Sequence, residues 1–161
     1  MNDTPMILIM CTGNLCRSPM AEALMRHRLS ARGIAAEVLS RGLGAPVGRA
    51  PHPFALRTAD HFGVPIDDDK RAAQVNELDL RRAAVVLVMD HGHRHQVLQR
   101  YPAAGGKTFL LGHWQDQREI VDPLREPEDV FLAQWPVIEA GCEAWIDHLL
   151  RAGMLPEGTG G

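Results

Sequence analysis

An apolar run, Met6-Ile7-Leu8-Ile9-Met10, passes directly into Cys11-Thr12-Gly13-Asn14-Leu15-Cys16-Arg17-Ser18-Pro19 and then into a helical pattern. This order of strand, tight loop and helix fixes the start of an α/β unit and leaves few folds open. Gly13 lets the backbone approach a ligand closely, and Asn14 tolerates left-handed geometry. Ser18 reads as an N-cap whose hydroxyl can also donate to the Cys11 sulfur, and Pro19 as the first helical residue, where no N–H is needed. A loop of this kind curls so that its backbone N–H groups converge on a phosphate-like anion. The helix dipole beneath adds positive potential at the same point. Five residues separate Cys11 from Arg17, whose guanidinium can hold two anion oxygens at once. A cysteine beside such a cradle acts as a thiolate nucleophile. The chemistry expected is attack of sulfur on phosphorus, with a covalent phosphocysteine intermediate.

Three further apolar runs, Ala36–Ser40, Ala84–Met89 and Thr108–Leu111, read as buried strands. Helical patterns fall between them, which favours a parallel sheet with right-handed crossovers. The first helix is expected from Ser18 to about Ala31, with Gly33 as its C-cap. Further helices are expected at Pro53–His61, Glu77–Arg82 and His91–Arg100. The last pattern is the longest. Phe131, Trp135, Ile138, Cys142, Trp145 and Leu149 recur at alternating spacings of four and three, and Pro136 should start or kink that helix. The expectation is a single α/β domain over residues 1–153, an open doubly wound sheet with helices on both faces and the site at the strand carboxyl ends. A flexible tail should follow from 154 to 161.

Composition excludes several classes. The net charge of −3, with no Lys/Arg block, gives no reason to expect nucleic acid. The apolar runs are strand-length, so no membrane insertion is expected. Met1-Asn2-Asp3-Thr4-Pro5 is not a basic signal-peptide start. Of three cysteines, two sit inside one anion loop and the third, Cys142, on the apolar stripe of the last helix. That is no secreted disulfide framework; it fits a reducing cytoplasm. His91, His93 and His95 lack the further ligands a closed metal site needs, and read as a solvated helix start.

The run from Cys11 to Pro19 resembles the signature of the low-molecular-weight protein tyrosine phosphatases, and the resemblance extends over nearly the whole chain. Other matches are Ser40-Arg41-Gly42, Met89-Asp90 and a far-downstream Asp122-Pro123. Gly42 to Gly48, Leu111-Gly112-His113-Trp114 and Arg118 to Pro123 resemble the bacterial members encoded with exopolysaccharide and capsule export systems. The resemblance implies a four-stranded sheet in order 2-1-3-4, with the phosphatase loop of residues 11–18 after strand 1. It implies Cys11 as nucleophile, Arg17 as phosphate clamp and Asp122 as general acid and base. It implies Asn14, Ser18 and Ser40 as loop supports, and Cys16 as a redox partner that protects Cys11. No cofactor or metal is implied. The expected partners are phosphate or a similar oxyanion and a phosphotyrosine protein, namely the tyrosine-rich tail of a bacterial kinase, met by a small monomer.

Asp122 has a chemical reason of its own: a phosphate ester leaves poorly unless its oxygen is protonated. The charged segment from Arg118 to Asp129 suits a mobile loop over a site. Leu15, Leu43, His113, Trp114 and Leu124 are the expected pocket walls. His113-Trp114 follows the fourth strand, so it should lie near the catalytic rim, either walling the pocket or supporting the acid loop; plain packing is a nearly equal reading. Leu124-Arg125 stand where the family usually has aromatics, and Lys70-Arg71-Ala72-Ala73-Gln74 where it commonly has His-x-Ala-Arg-Gln. Three other functions bear weighing. A thioredoxin-linked arsenate reductase needs a cysteine pair near the third strand, and residues 83–95 contain no cysteine. A protein arginine phosphatase typically carries Thr where this chain has Leu15. A phosphopeptide-binding module would not need Cys11 and Asp122.

Overall fold

The computed structural model describes residues 4–158. The opening Met1-Asn2-Asp3 and residues 159–161 of the expected tail lie outside them. Four strands, β1 (Met6–Cys11), β2 (Glu37–Gly42), β3 (Val85–Val88) and β4 (Thr108–Leu110), form one sheet in order β2-β1-β3-β4, with every pairing parallel. This is the expected topology. β1 and β3 are buried along their whole lengths, as central parallel strands covered on both faces must be. β2 alternates half-buried and buried residues and carries Glu37 and Arg41 outward, which suits an edge.

The period-two geometry of β1 divides the core between two layers. Ile7 and Ile9 point into a cluster with Leu24 and Met25 of helix α1 (Arg17–Ala31) and with Phe131, Trp135 and Cys142 of helix α5 (Glu128–Arg151). Met6, Leu8 and Met10 point the other way. They meet Leu80 of α3 (Glu77–Arg82), Val97 of α4 (His91–Arg100) and Ala104 of a 3-10 turn (Pro102–Lys107). Helix α2 (Pro53–His61) packs on the α1/α5 side. Thus α1 leaves β1 over one face and α4 leaves β3 over the other. The cleft between the ends of β1 and β3 is therefore the topological switch point, where such sheets bind ligands.

Several local expectations change. Helix α1 begins at Arg17 with Cys16 at the cap position, so Ser18 lies inside the first turn and does not cap it. Its hydroxyl is engaged elsewhere, as described below. Pro19 still falls among the first residues, whose N–H groups have no helical acceptor. Pro136 does not start the last helix; it lies inside α5 on an exposed position, where water can satisfy the carbonyl that loses its N–H partner. All six residues of the predicted α5 stripe are buried. Within the stretch expected as a tail, Leu155 is buried in the main core and its N–H donates to the Leu149 carbonyl. No helix among the described residues is long and apolar enough to cross a membrane.

Candidate active site

Residues 11–18 curl around the C-terminal end of β1, held by one asparagine. Asn14 is fully buried with φ of 57°, the left-handed geometry its short polar side chain tolerates. Its Nδ2 donates to Ser18 Oγ at 2.8 Å and to Ser40 Oγ at 3.0 Å. Its Oδ1 accepts the Ala73 N–H at 3.0 Å. The amide thus ties the loop to β2 and to the segment before α3, and no buried polar atom of it is left unpaired. Because Ser18 Oγ already accepts from Asn14, its own hydrogen is free for Cys11 Sγ, 3.0 Å away. The Asn14 N–H donates to the same sulfur at 3.2 Å. Two hydrogen-bond donors therefore face Sγ.

The backbone also enforces this shape. A Cβ on Gly42 would stand 2.6 Å from the Thr12 carbonyl oxygen and 2.9 Å from Ala45 Cβ, so the end of β2 approaches the loop too closely for any other residue. In the segment 70–74, backbone and glutamine groups do the supporting. Ala73 supplies its N–H to Asn14, while Gln74 accepts from the Ala45 N–H and donates to the Leu43 carbonyl. Lys70, where the family commonly has histidine, donates to the Ser40 carbonyl and pairs with Glu22 at 3.3 Å. Burial holds the Lys70 pKa down, against the pull of Glu22.

Arg17 is only 2 % exposed. Its Nη1 donates to the Ile120 carbonyl at 2.7 Å and to Asp90 Oδ2 at 3.4 Å. Its Nη2 lies 3.8 Å from Asp122 Oδ2. Nε and Nη2 make no other hydrogen bond among the described residues and are left to hold two anion oxygens. The Ile120 contact also anchors the acid loop, since the Ile120 N–H donates to the Met89 carbonyl at the end of β3. Two residues further on, Asp122 is half exposed, and its Oδ1 accepts the Leu124 N–H.

Cys11, Arg17 and Asp122 share one cleft of about 440 Å³, with Thr12, Gly13, Leu15, Cys16 and Leu124 also on its walls. That volume is in the range of small-molecule sites. Leu43, His113 and Trp114 are not on this cleft. Leu43 is buried in the second core, because its N–H continues the β2 pairing onto the Cys11 carbonyl and turns the side chain inward. His113 and Trp114 pack against Trp145, and Trp114 stacks on His148 of α5 with ring centroids 3.5 Å apart. They line a separate hollow with Ala84, Val85 and Lys107, at the opening ends of β3 and β4.

Sequence reasoning missed four participants. Pro46 and Arg49 line the cleft, the first within the Gly42–Gly48 stretch and the second directly after it. Asp90 pairs with Arg17, as its place at the end of β3 could have suggested. His93, read as solvated, is 2 % exposed and bonds to Thr12. Cys16 is buried, and its thiol is pushed up to about 12 by burial, then by Cys11 and Asp122, with Arg17 opposing. Cys142 is fully buried and burial raises its pKa strongly, so it packs as a small apolar side chain. Among the described residues no group of three or more His, Cys, Asp or Glu is placed to hold a metal.

The chain's likenesses agree with this geometry. Residues 6–154 match the family model of the low molecular weight phosphotyrosine protein phosphatases. The chain is 37 % identical over 147 residues to a probable low molecular weight protein-tyrosine-phosphatase EpsP of Ralstonia nicotianae, covering 91 % of this chain and 97 % of that one. The crystal structure of the tyrosine phosphatase Wzb from Escherichia coli K30 in complex with sulphate is 34 % identical, with a TM-score of 0.84 over 91 % of this chain and 99 % of that one. The YwlE arginine phosphatase from Geobacillus stearothermophilus is 31 % identical, with a TM-score of 0.82 over 93 % and 96 %. A loop built on Cys11, Asn14, Arg17 and Ser18, the sheet order and the full-length matches together place this chain in the low molecular weight phosphotyrosine protein phosphatase family.

Proposed function

We propose that the protein hydrolyses phosphotyrosine in a protein substrate through a phosphocysteine on Cys11. The observation that carries this reading is the single cleft holding Cys11, Arg17 and Asp122 between the apolar side chains of Leu15, Pro46 and Leu124. The phosphoryl group lies in the loop, its oxygens on backbone N–H groups and on Arg17. Cys11 sulfur attacks phosphorus in line with the ester oxygen, and Asp122 gives that oxygen its proton as the P–O bond breaks. The carboxylate so formed then takes a proton from water, whose oxygen displaces Cys11 from phosphorus and releases inorganic phosphate. Ser18 and the Asn14 N–H stabilise the departing thiolate.

Cys11 is 3 % exposed, at the floor of the cleft. A phenyl spacer reaches that floor and gains from apolar walls, whereas phosphoserine is too short. Initial rates on matched peptides should therefore favour phosphotyrosine strongly over phosphoserine, phosphothreonine and phosphoarginine. Leu15→Thr should move the preference toward phosphoarginine by about 10–100-fold, the scale of one changed apolar contact. Equal rates on phosphoserine and phosphotyrosine would contradict the proposal, and faster phosphoarginine turnover by the unmodified chain would transfer it to the arginine class. The natural substrate we infer is the tyrosine-rich tail of a bacterial tyrosine kinase governing polysaccharide export, met in a reducing cytoplasm by a monomer. The Gly42–Gly48 and Leu111–Trp114 motifs support that reading.

Cys16 is proposed as the resolving partner of Cys11. Peroxide oxidises the Cys11 thiolate to sulfenic acid; the Cys16 sulfur then attacks it, water leaves, and a disulfide forms that a dithiol reduces. Oxidation removes the neighbouring thiolate charge, one of the causes that keep the Cys16 thiol protonated. Activity after a peroxide pulse and dithiol treatment should return in the parent chain and return substantially less in Cys16→Ser. Equal recovery would leave Cys16 a packing residue only.

A further inference from the structure

His93 stands on α4, 81 residues after Thr12 in the sequence, yet its ring reaches the catalytic loop. Its Nδ1 accepts the Met89 N–H at 3.3 Å, which places the ring proton on Nε2. Nε2 lies 2.9 Å from Thr12 Oγ1 and so donates to it. A hydroxyl that accepts a hydrogen bond from one side has its own hydrogen for a different acceptor. Thr12 immediately follows the nucleophile, is exposed and lines the cleft.

The geometry points to a role for this pair that we propose here: His93 is a positioning residue that holds the Thr12 hydroxyl as a hydrogen-bond donor to the phosphoryl group of the substrate. The inference rests on the reading of the cleft as a phosphoryl site. Two features of the surroundings keep the ring neutral and fixed. Asp90 occupies its Oδ1 with the His93 backbone N–H at 2.8 Å and its Oδ2 with Arg17, although Oδ1 is also only 3.5 Å from Nδ1. The charged groups facing the ring are Asp90 from the start of α4, Arg17 from α1, and Asp122 and Glu119 from the acid loop. Burial outweighs the carboxylates and lowers the His93 pKa, with Arg17 acting in the same direction. Were the ring to gain a second proton, Nδ1 would turn from acceptor to donor. The Met89 N–H would then lose its partner, and Asp90 would be drawn from Arg17.

Side-chain isosteres separate positioning from packing. The amide nitrogen of glutamine can stand where Nε2 stands, and the amide oxygen of asparagine where Nδ1 stands. His93→Gln therefore keeps a donor for Thr12, whereas His93→Asn keeps only the acceptor for Met89. The experiment measures kcat/KM on p-nitrophenyl phosphate and the calorimetric Kd for inorganic phosphate. The proteins are the parent chain, Thr12→Val, His93→Asn, His93→Gln and the Thr12→Val/His93→Asn double variant. Thr12→Val and His93→Asn should each lower kcat/KM and weaken phosphate binding by about 5–10-fold, the worth of one hydrogen bond. The double variant should be no worse than either single one, and His93→Gln should stay within about twofold of the parent. Equal losses in the Asn and Gln variants, multiplied losses in the double variant, or a Thr12→Val variant that binds and turns over like the parent would overturn the proposal. Thr12 is exposed, so its valine variant remains a test even if substitutions at buried His93 unfold the chain. Failure of the parent chain to hydrolyse the ester would count against the phosphatase reading alone, because phosphate binding still reports on Thr12 and His93.

Discussion

Cys11→Ser is expected to lower kcat on aryl phosphates by on the order of 10⁴–10⁶, the loss that follows removal of a covalent nucleophile, while phosphate binding stays close to that of the parent. The two effects separate because different atoms carry them. In the proposed mechanism the anion rests on loop backbone N–H groups and on Arg17, and the position of Arg17 depends on Ile120 and Asp90 and not on Cys11. Asn14 holds the loop through Ser40, Ala73 and Ser18, and a serine oxygen at position 11 can still accept from the Ser18 hydroxyl and the Asn14 N–H that face the sulfur. A serine hydroxyl in place of sulfur ionises far less readily and is a much worse leaving group in the second step. Stopped assays for turnover and calorimetry for phosphate check the two halves. Turnover within about tenfold of the parent would exclude attack by Cys11.

Asp122→Asn should lower kcat by about 10²–10⁴, the usual contribution of a general acid or base. The size should depend on the leaving group. A phenolate of low basicity departs without a proton and should show the smallest loss, and alkyl-substituted phenols the largest. Asp122 is suited to this because the loop that carries it is fixed through the Ile120 carbonyl to Arg17, the same residue that clamps the phosphate. Its carboxylate oxygen lies 3.8 Å from Nη2, on the cleft that the proposed ester enters. A series of substituted phenyl phosphates measures the dependence. A uniform loss across the series would remove Asp122 from the acid role and leave it an electrostatic one.

Much of the fold was legible because its strands are short apolar runs bounded by glycine, proline and charge. β1, β3 and β4 fall within a residue or two of the runs expected, and the α5 stripe is buried at every predicted position. Cys11, Asn14, Arg17 and Ser18 were legible because the loop is contiguous, so sequence distance and spatial distance nearly coincide. Where contacts are remote, local reasoning failed. Trp114 follows β4, which left a rim position and plain packing as nearly equal readings; Trp145 and His148, on a helix that begins after the acid loop, decide for packing. Of the two readings of Ser18, cap and partner of the Cys11 sulfur, the structure keeps the second: Cys16 stands at the cap, and the Ser18 hydroxyl lies 3.0 Å from Sγ. His93 was grouped with His91 and His95 by residue type, while its four-residue spacing to buried Val97 marks the inner face of α4. That spacing was available in the sequence and was the better guide.

The most direct test of the account is the stereochemical course at phosphorus. A phenyl phosphate made chiral with oxygen isotopes is incubated with the protein and an alcohol, and the configuration of the alkyl phosphate product is determined. Two in-line displacements, one by Cys11 and one by the acceptor oxygen, invert the centre twice and give net retention. Net inversion would show one direct displacement, with no covalent intermediate on Cys11, and would contradict the mechanism at its centre.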